Sequence, residues 1–150
     1  MAHSYRIHFF HLIWSTKNRR RWLTATIQPR LYGYMNGIIA NYDSQLLEIG
    51  GMSDHVHLLV RISSIDKFSS FIRDIKAGSS LWIHKNYPDL KDFEWQEGYG
   101  SFTVSYSILE NVREYIRNQE QHHAVTSFDE EFKKFLNLHQ VKFDQRFVLG

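Results

Sequence analysis

Two short spacings in this chain can do chemistry together. The first is His55-Val56-His57, set in the run Gly50-Gly51-Met52-Ser53-Asp54-His55-Val56-His57-Leu58-Leu59-Val60. The glycine pair reads as a turn and the apolar run after it as a strand. Residues two apart on a strand leave the sheet on the same face, so both imidazoles point one way while Val56 packs on the other side. Two such imidazoles can grip a divalent cation, but a catalytic site needs a further ligand and a nucleophile. Taken alone, the pair also fits two hydrogen-bonded histidines with no metal.

The second spacing is Tyr115-x-x-x-Gln119. Ser107-x-x-Glu110 has the form of a capping box, so a helix is expected from there to about His123. Residues four apart share a helix face. Ile108, Val112 and Ile116 lie on or beside that face, which therefore points inward. Tyr115 by itself reads as a core aromatic. An inward amide at Gln119 needs polar partners, and its oxygen is a reasonable third metal ligand beside two imidazoles. These parts fit one chemistry. A tyrosine hydroxyl is a weak nucleophile at neutral pH. A divalent ion held by His55, His57 and Gln119 can polarise a phosphodiester and align it with the tyrosine oxygen. The products are a phosphotyrosine and a free 3′-hydroxyl. The bond energy is kept, so a later hydroxyl can rejoin the strand without ATP.

These residues need a scaffold. Residues 5–14, rich in aromatic and β-branched side chains, read as a buried strand. A basic loop follows over 17–24, then a helix over 27–42 marked by Pro29 and by Ile27, Leu31, Met35, Ile38 and Tyr42 at helical spacing. Residues 45–49 read as a short strand, paired through the glycine turn with a strand over 55–62. Ser63-Ser64-Ile65-Asp66 reads as a helix start, with Ile65, Phe68, Ile72, Ile75, Ser79 and Trp82 facing inward until Tyr87-Pro88 ends the helix. A polar connection over 88–98 leads to a strand over 99–106 and then the Tyr115 helix. Ser127-x-x-Glu130 caps a last amphipathic helix carrying Phe128, Phe132, Phe135 and Leu136. The order β-α-β-β-α-β is the ferredoxin-like split βαβ arrangement: an α+β fold with an antiparallel sheet, helices on one face, and added C-terminal helices. The fold hosts many functions, but it puts the His pair on a rigid central strand.

The chain has 150 residues, 43% of them hydrophobic and 23% charged, so one globular domain over 1–150 is expected. With no cysteine, disulfides, thiolate metal sites and a cysteine nucleophile are excluded. No signal peptide and no membrane span are read, so a cytoplasmic location is expected. The net charge of +2 is unevenly spread: residues 1–50 hold six Lys/Arg against Asp43 and Glu48. Lys17, Arg19, Arg20 and Arg21, next to Trp22, suit phosphate contact with base stacking, or a solvated loop. Arg73 and Lys76 on the second helix have the same two readings. His122 and His123 read first as solvated helix-end histidines and second as contacts to the metal or the DNA, His11 as a core histidine or part of the site lining, and Trp95 and Tyr99 as packing residues or platforms for base stacking.

The chain resembles the single-tyrosine HUH transposases, the small enzymes of the simplest bacterial insertion sequences. The likeness is carried by His11-Leu12-Ile13-Trp14-Ser15-Thr16-Lys17, by Ser53 to Val60, by Trp95 to Ser105, and by Tyr115-Ile116-Arg117-Asn118-Gln119. It covers roughly residues 5–125 and leaves 127–150 as a helical tail. The resemblance implies single-stranded DNA with hairpins as substrate, a 5′-phosphotyrosine intermediate, Mg²⁺ or Mn²⁺ as cofactor, and a homodimer whose sites can be completed in trans. It makes Tyr115 the nucleophile and His55, His57 and Gln119 the metal ligands. Three other readings stay open: a domesticated relative processing dispersed genomic repeats, a non-catalytic module binding single-stranded nucleic acid, and a metal-dependent hydrolase using water.

Overall fold

The computed structural model describes residues 3–123 and 126–144. A four-stranded antiparallel sheet is ordered β2-β3-β1-β4, with β1 at His8–Ser15, β2 at Gln45–Met52, β3 at His55–Ile62 and β4 at Gly100–Thr103. Helices α1 (Ile27–Ala40) and α2 (Phe68–Asn86) are the two crossovers. The expected split βαβ topology is therefore present, with the His pair on an inner strand. After β4 come α3 (Leu109–Arg117), α4 (Gln119–His122) and α5 (Phe128–Leu138).

Alternation along β1 and β3 divides the molecule in two. Leu12, Trp14, Val56, Leu58 and Val60 share a face and build the main core with Leu31, Met35 and Ile39 of α1 and Phe71, Ile72, Ile75 and Ile83 of α2. On the other face Ile13, opposite His57 in the ladder, joins Phe102 and the α5 residues Phe128, Phe132 and Leu136 in a second apolar cluster. The C-terminal helices thus cover the face that α1 and α2 leave open, and it is the face to which His55 and His57 point.

Several boundaries differ from the sequence reading. β1 starts at His8 rather than at residue 5, and β4 is four residues long, ending at Thr103. The connection over 88–98 is not simply polar, because Phe93, Trp95 and Gln96 are buried in it. Ser107 does not cap the Tyr115 helix. Ser105 instead accepts from the Ser107 N–H and starts a short 3₁₀ turn ahead of α3. The helix expected to run to His123 breaks at Asn118 (φ −100°, ψ 26°) into α3 and α4. Ser127 does cap α5, accepting from the Glu130 N–H at 3.2 Å, but α5 ends at Leu138 instead of filling the tail. Residues 145–150 of that tail lie outside the described residues.

Gly50 and Gly51 are not the hairpin turn. Both lie inside β2, opposite His57 and Val56, and the turn falls at Ser53-Asp54. The physical reason is close approach: a Cβ on Gly50 would run into the backbone carbonyl of Ile116 in α3. The glycine lets the Tyr115 helix lie directly on the sheet beside the His pair. Arg117 fastens that helix further, donating to Glu48 of β2 at 2.6 Å. Gly50→Ala should therefore destabilise the chain by about 2 kcal/mol through forced displacement of α3. Gly33→Ala, where a Cβ on α1 meets nothing within 4 Å, should be neutral or stabilising by up to ~1 kcal/mol. Urea unfolding of the two variants checks the contrast; equal effects would remove the close-approach argument.

Candidate active site

His55 and His57 are both fully buried. Each presents Nε2 to the interior of the cluster because its Nδ1 is already engaged. His55 Nδ1 lies 2.7 Å from the Asp54 carboxylate, and His57 Nδ1 lies 2.8 Å from His11 Nε2. His11 shares the face because it lies two residues from Ile13, the ladder partner of His57. Such outer contacts fix the direction of each ring.

The C-terminal helices close over the pair. Gln119, 1% exposed, places Oε1 3.0 Å from His55 Nε2 and 3.0 Å from His123 Nε2. Glu131 of α5 is also 1% exposed. Its Oε1 lies 2.9 Å from His57 Nε2 and 3.1 Å from His123 Nε2. Its Oε2 accepts a hydrogen bond from the Tyr115 hydroxyl, and His122 Nε2 sits 3.0 Å from the same hydroxyl. The Tyr115 ring is 5.9 Å from that of His57. Tyr115, His55, His57 and Gln119 thus meet in one cluster.

Sequence reasoning missed one member of this cluster and favoured the wrong reading of another. His123, for which a solvated helix end stood ahead of a metal contact, has a side chain only 6% exposed. Glu131 was not singled out at all. The signal was present: Glu131 falls three residues after Phe128 and four before Phe135, on the apolar stripe of an amphipathic helix, where a carboxylate needs a buried partner. His11, read as a core histidine, is buried and touches the pair.

The cluster has the chemistry of a metal centre. One ligand atom from each of His55, His57, His123 and Glu131 lies within 4.8 Å of the others, all inside the protein. Burial pushes His57 down to about 4, against an opposing pull from Glu131, so its imidazole is neutral at pH 7. Burial acts to raise the Glu131 carboxyl, but hydrogen bonds from His123 and His57 outweigh it and hold the group ionised, well below the usual carboxylate range. Neutral imidazole and ionised carboxylate are the metal-binding forms. Burial, reinforced by the Glu131 contact, raises the Tyr115 hydroxyl well above its ordinary value.

The basic residues are more dispersed. Lys17 pairs with Glu94 at 3.3 Å, Arg19 with Asp129 of α5 at 3.1 Å, and Arg20 lies over the Trp22 ring at 5.3 Å. Arg21 and Arg73 are exposed. Lys76 is half-buried and donates to the carbonyls of Gln96, Glu97 and Gly98 at 2.7, 3.1 and 2.9 Å, so its ammonium pins the loop before β4.

The family model for IS200-like transposases matches residues 4–119. The chain belongs to this family of transposases, whose members are DNA-processing enzymes, and its buried His55–His57 pair fits the His-hydrophobe-His motif. It is 30% identical over 115 residues to the ISDra2 transposase TnpA of Deinococcus radiodurans, covering 73% of this chain and 82% of that one. It is 26% identical over 116 residues to the transposase for insertion sequence element IS200 of Salmonella typhimurium, covering 73% and 75%. Among solved structures, a candidate transposase from D. radiodurans superposes with a TM-score of 0.64 at 26% identity, over 79% of this chain and 96% of that one. A REP-associated tyrosine transposase bound to a REP hairpin shares the fold with a TM-score of 0.61 at 19% identity, over 84% and 76%. Among the described residues, no helix is long and apolar enough to cross a membrane.

Stability of the metal-free chain should depend on pH through this cluster. A histidine whose folded value lies near 4 against 6.5 unfolded binds fewer protons in the native state. Its contribution is therefore present above 6.5 and lost as pH falls toward 4, by about 3 kcal/mol in all for His57. His11, also lowered by burial and by His57, acts in the same direction. Urea unfolding in EDTA should show stability rising with pH across this window, with a shallower slope for His57→Asn. Identical slopes would contradict a neutral buried His57.

Proposed function

We propose that this chain cuts and rejoins single-stranded DNA through a 5′-phosphotyrosine intermediate, with Tyr115 as the nucleophile. The observation that carries this reading is the Tyr115 hydroxyl at the edge of a buried cluster that contains both His55 and His57. Attack of the Tyr115 oxygen on phosphorus breaks the P–O3′ bond and leaves a 3′-hydroxyl on one strand and a phosphotyrosine on the other. The hydroxyl proton already points at Glu131 Oε2, and His122 Nε2 lies 3.0 Å from the same hydroxyl. His55, His57 and Gln119 would hold a divalent ion, Mg²⁺ or Mn²⁺, which would polarise the phosphate when bound. Asp54 and His11 keep both imidazoles turned toward it.

The proposed substrate is single-stranded DNA bearing a hairpin; the REP-associated relative is bound to a REP hairpin. Arg20 and Arg21, with the Trp22 ring beside them, form a cation-aromatic edge suited to backbone and bases; Lys17, Arg19, Arg73 and Lys76 complete the proposed DNA-binding set. Tyr115→Phe should keep the fold and hairpin binding, since only one hydroxyl is lost, and should abolish the covalent protein–DNA adduct. Denaturing gels of protein incubated with labelled hairpin and Mn²⁺ read this directly. An adduct formed by the variant would take Tyr115 out of the role.

The proposed assembly is a homodimer. That α3 packs on β2 and β3 of its own chain supports sites completed in cis. A heterodimer of Tyr115→Phe and His57→Ala, purified through two different tags, should then be inactive, because each site carries one lesion. Adduct formation by that heterodimer would show instead that the Tyr115 helix is exchanged between subunits.

A further inference from the structure

The family match ends at residue 119, yet the cluster draws two of its inward-facing atoms from beyond that point. His123 repeats the design seen at His55 and His57. Its Nδ1 is held by a backbone partner, the Thr126 carbonyl, and its Nε2 points inward. Three imidazoles therefore converge through Nε2, each fixed from behind: by Asp54, by His11 and by Thr126. A buried carboxylate oxygen lies among them, 2.9 Å from His57, 3.1 Å from His123 and 3.8 Å from His55. Imidazoles held from behind with one ring nitrogen each aimed at one point are the arrangement of metal-binding histidines. Hydrogen-bonded packing alone would not require all three rings to turn the same nitrogen inward.

We infer that Glu131, through Oε1, and His123, through Nε2, are ligands of the divalent ion together with His55 and His57, so that α5 is part of the metal centre. The inference rests on the metal-dependent reading above and extends its ligand set beyond the His pair and Gln119. Atoms bound to one ion stand at most about 4 Å apart. The observed spread of 4.8 Å therefore closes with a contraction of under about 1 Å. The carboxylate adds a negative charge that the neutral His and Gln donors lack, and charge count is a main determinant of affinity at such sites. Glu131 also has a second oxygen on the Tyr115 hydroxyl. One side chain thereby joins the ion to the nucleophile, and an ion bound at Oε1 fixes where Oε2 holds the hydroxyl. Gln119 Oε1, 3.0 Å from two of the imidazoles, adds a neutral oxygen at the same point.

The test uses Mn²⁺ as probe on the full chain. Loss of free-ion signal in continuous-wave EPR gives the affinity, and pulsed EPR of the bound ion counts its imidazole nitrogens. The wild type should bind one Mn²⁺ with three imidazoles. Glu131→Gln should weaken binding by roughly tenfold or more, since even outer partners of metal ligands are worth 10–100-fold. Glu130→Gln, one residue away and exposed, should leave it unchanged. A count of two imidazoles in the wild type, or affinity unchanged or tighter in a folded Glu131→Gln, overturns the inference while leaving the Tyr115 chemistry and the His pair in place. The wild-type count needs no variant to fold. A wild type that binds no Mn²⁺ at all overturns both this inference and the metal-dependent reading, which separates the two failures.

Discussion

A carboxylate with 1% exposure must be compensated where it sits, and the C-terminal half of this protein is organised around that requirement. Burying an ionised Glu131 without partners would cost several kcal/mol. Its partners come from β3 (His57), from α3 (Tyr115) and from the end of α4 (His122 and His123). The group therefore ties three helices to the central strand. The apolar residues beside it do the placing: Phe128, Phe132 and Leu136 pack against Ile13 and Phe102 on the sheet. Each such side chain contributes on the order of 1.5–3 kcal/mol when fully buried, so the stripe carries the polar residue in with it.

The sheet separates stability from chemistry. On β1 and β3 the alternate residues Phe10, Leu12 and Trp14, and Val56, Leu58, Val60 and Ile62, belong to the α1–α2 core, while His11, Ile13, His55 and His57 between them face the cluster or its apolar flank. No side chain serves both, because the strand period is two. A slip of one residue between these strands would send His55 and His57 into the apolar core and Val56 and Leu58 into the polar cluster. The cost of that exchange pins the register. The His pair thus inherits its rigidity from hydrophobic residues on the opposite face that never touch it.

This division explains what could be read from the sequence. The His pair and its strand were legible because period-two alternation is local, and β3 spans the expected residues 55–62. The β-α-β-β-α-β order was legible because each crossover helix carries its own apolar stripe. Gly50-Gly51 was misread because a glycine pair signals a turn only when nothing else demands it. Here the demand comes from the Ile116 carbonyl, 66 residues away along the chain. Phe93 escapes a reading of its segment as a polar connection because an isolated aromatic has no periodicity, whereas Trp95 packs as expected; their burial is set by Trp22 and Trp14 across the core.

The Tyr115 segment shows how a wrong boundary can leave a right alignment. The helix breaks at Asn118, yet the Asn118 N–H still donates to Glu114 O at 3.0 Å, His122 N–H to Asn118 O at 3.1 Å, and His123 N–H to Gln119 O at 2.9 Å. The path stays close to helical, so residues at spacings of three and four still share a face. Tyr115, Gln119 and His122 fall in one row, and His123 falls beside it, one turn beyond Gln119. The same periodicity applies to Phe128, Glu131 and Phe135 in α5. In both segments the polar residues of the cluster interrupt an apolar stripe, at positions where a side chain must enter the interior. A polar residue placed there implies a partner equally buried. Two stripes with such interruptions, closing over a strand that turns two histidines to the same side, leave one interior region where all of those demands can be met together.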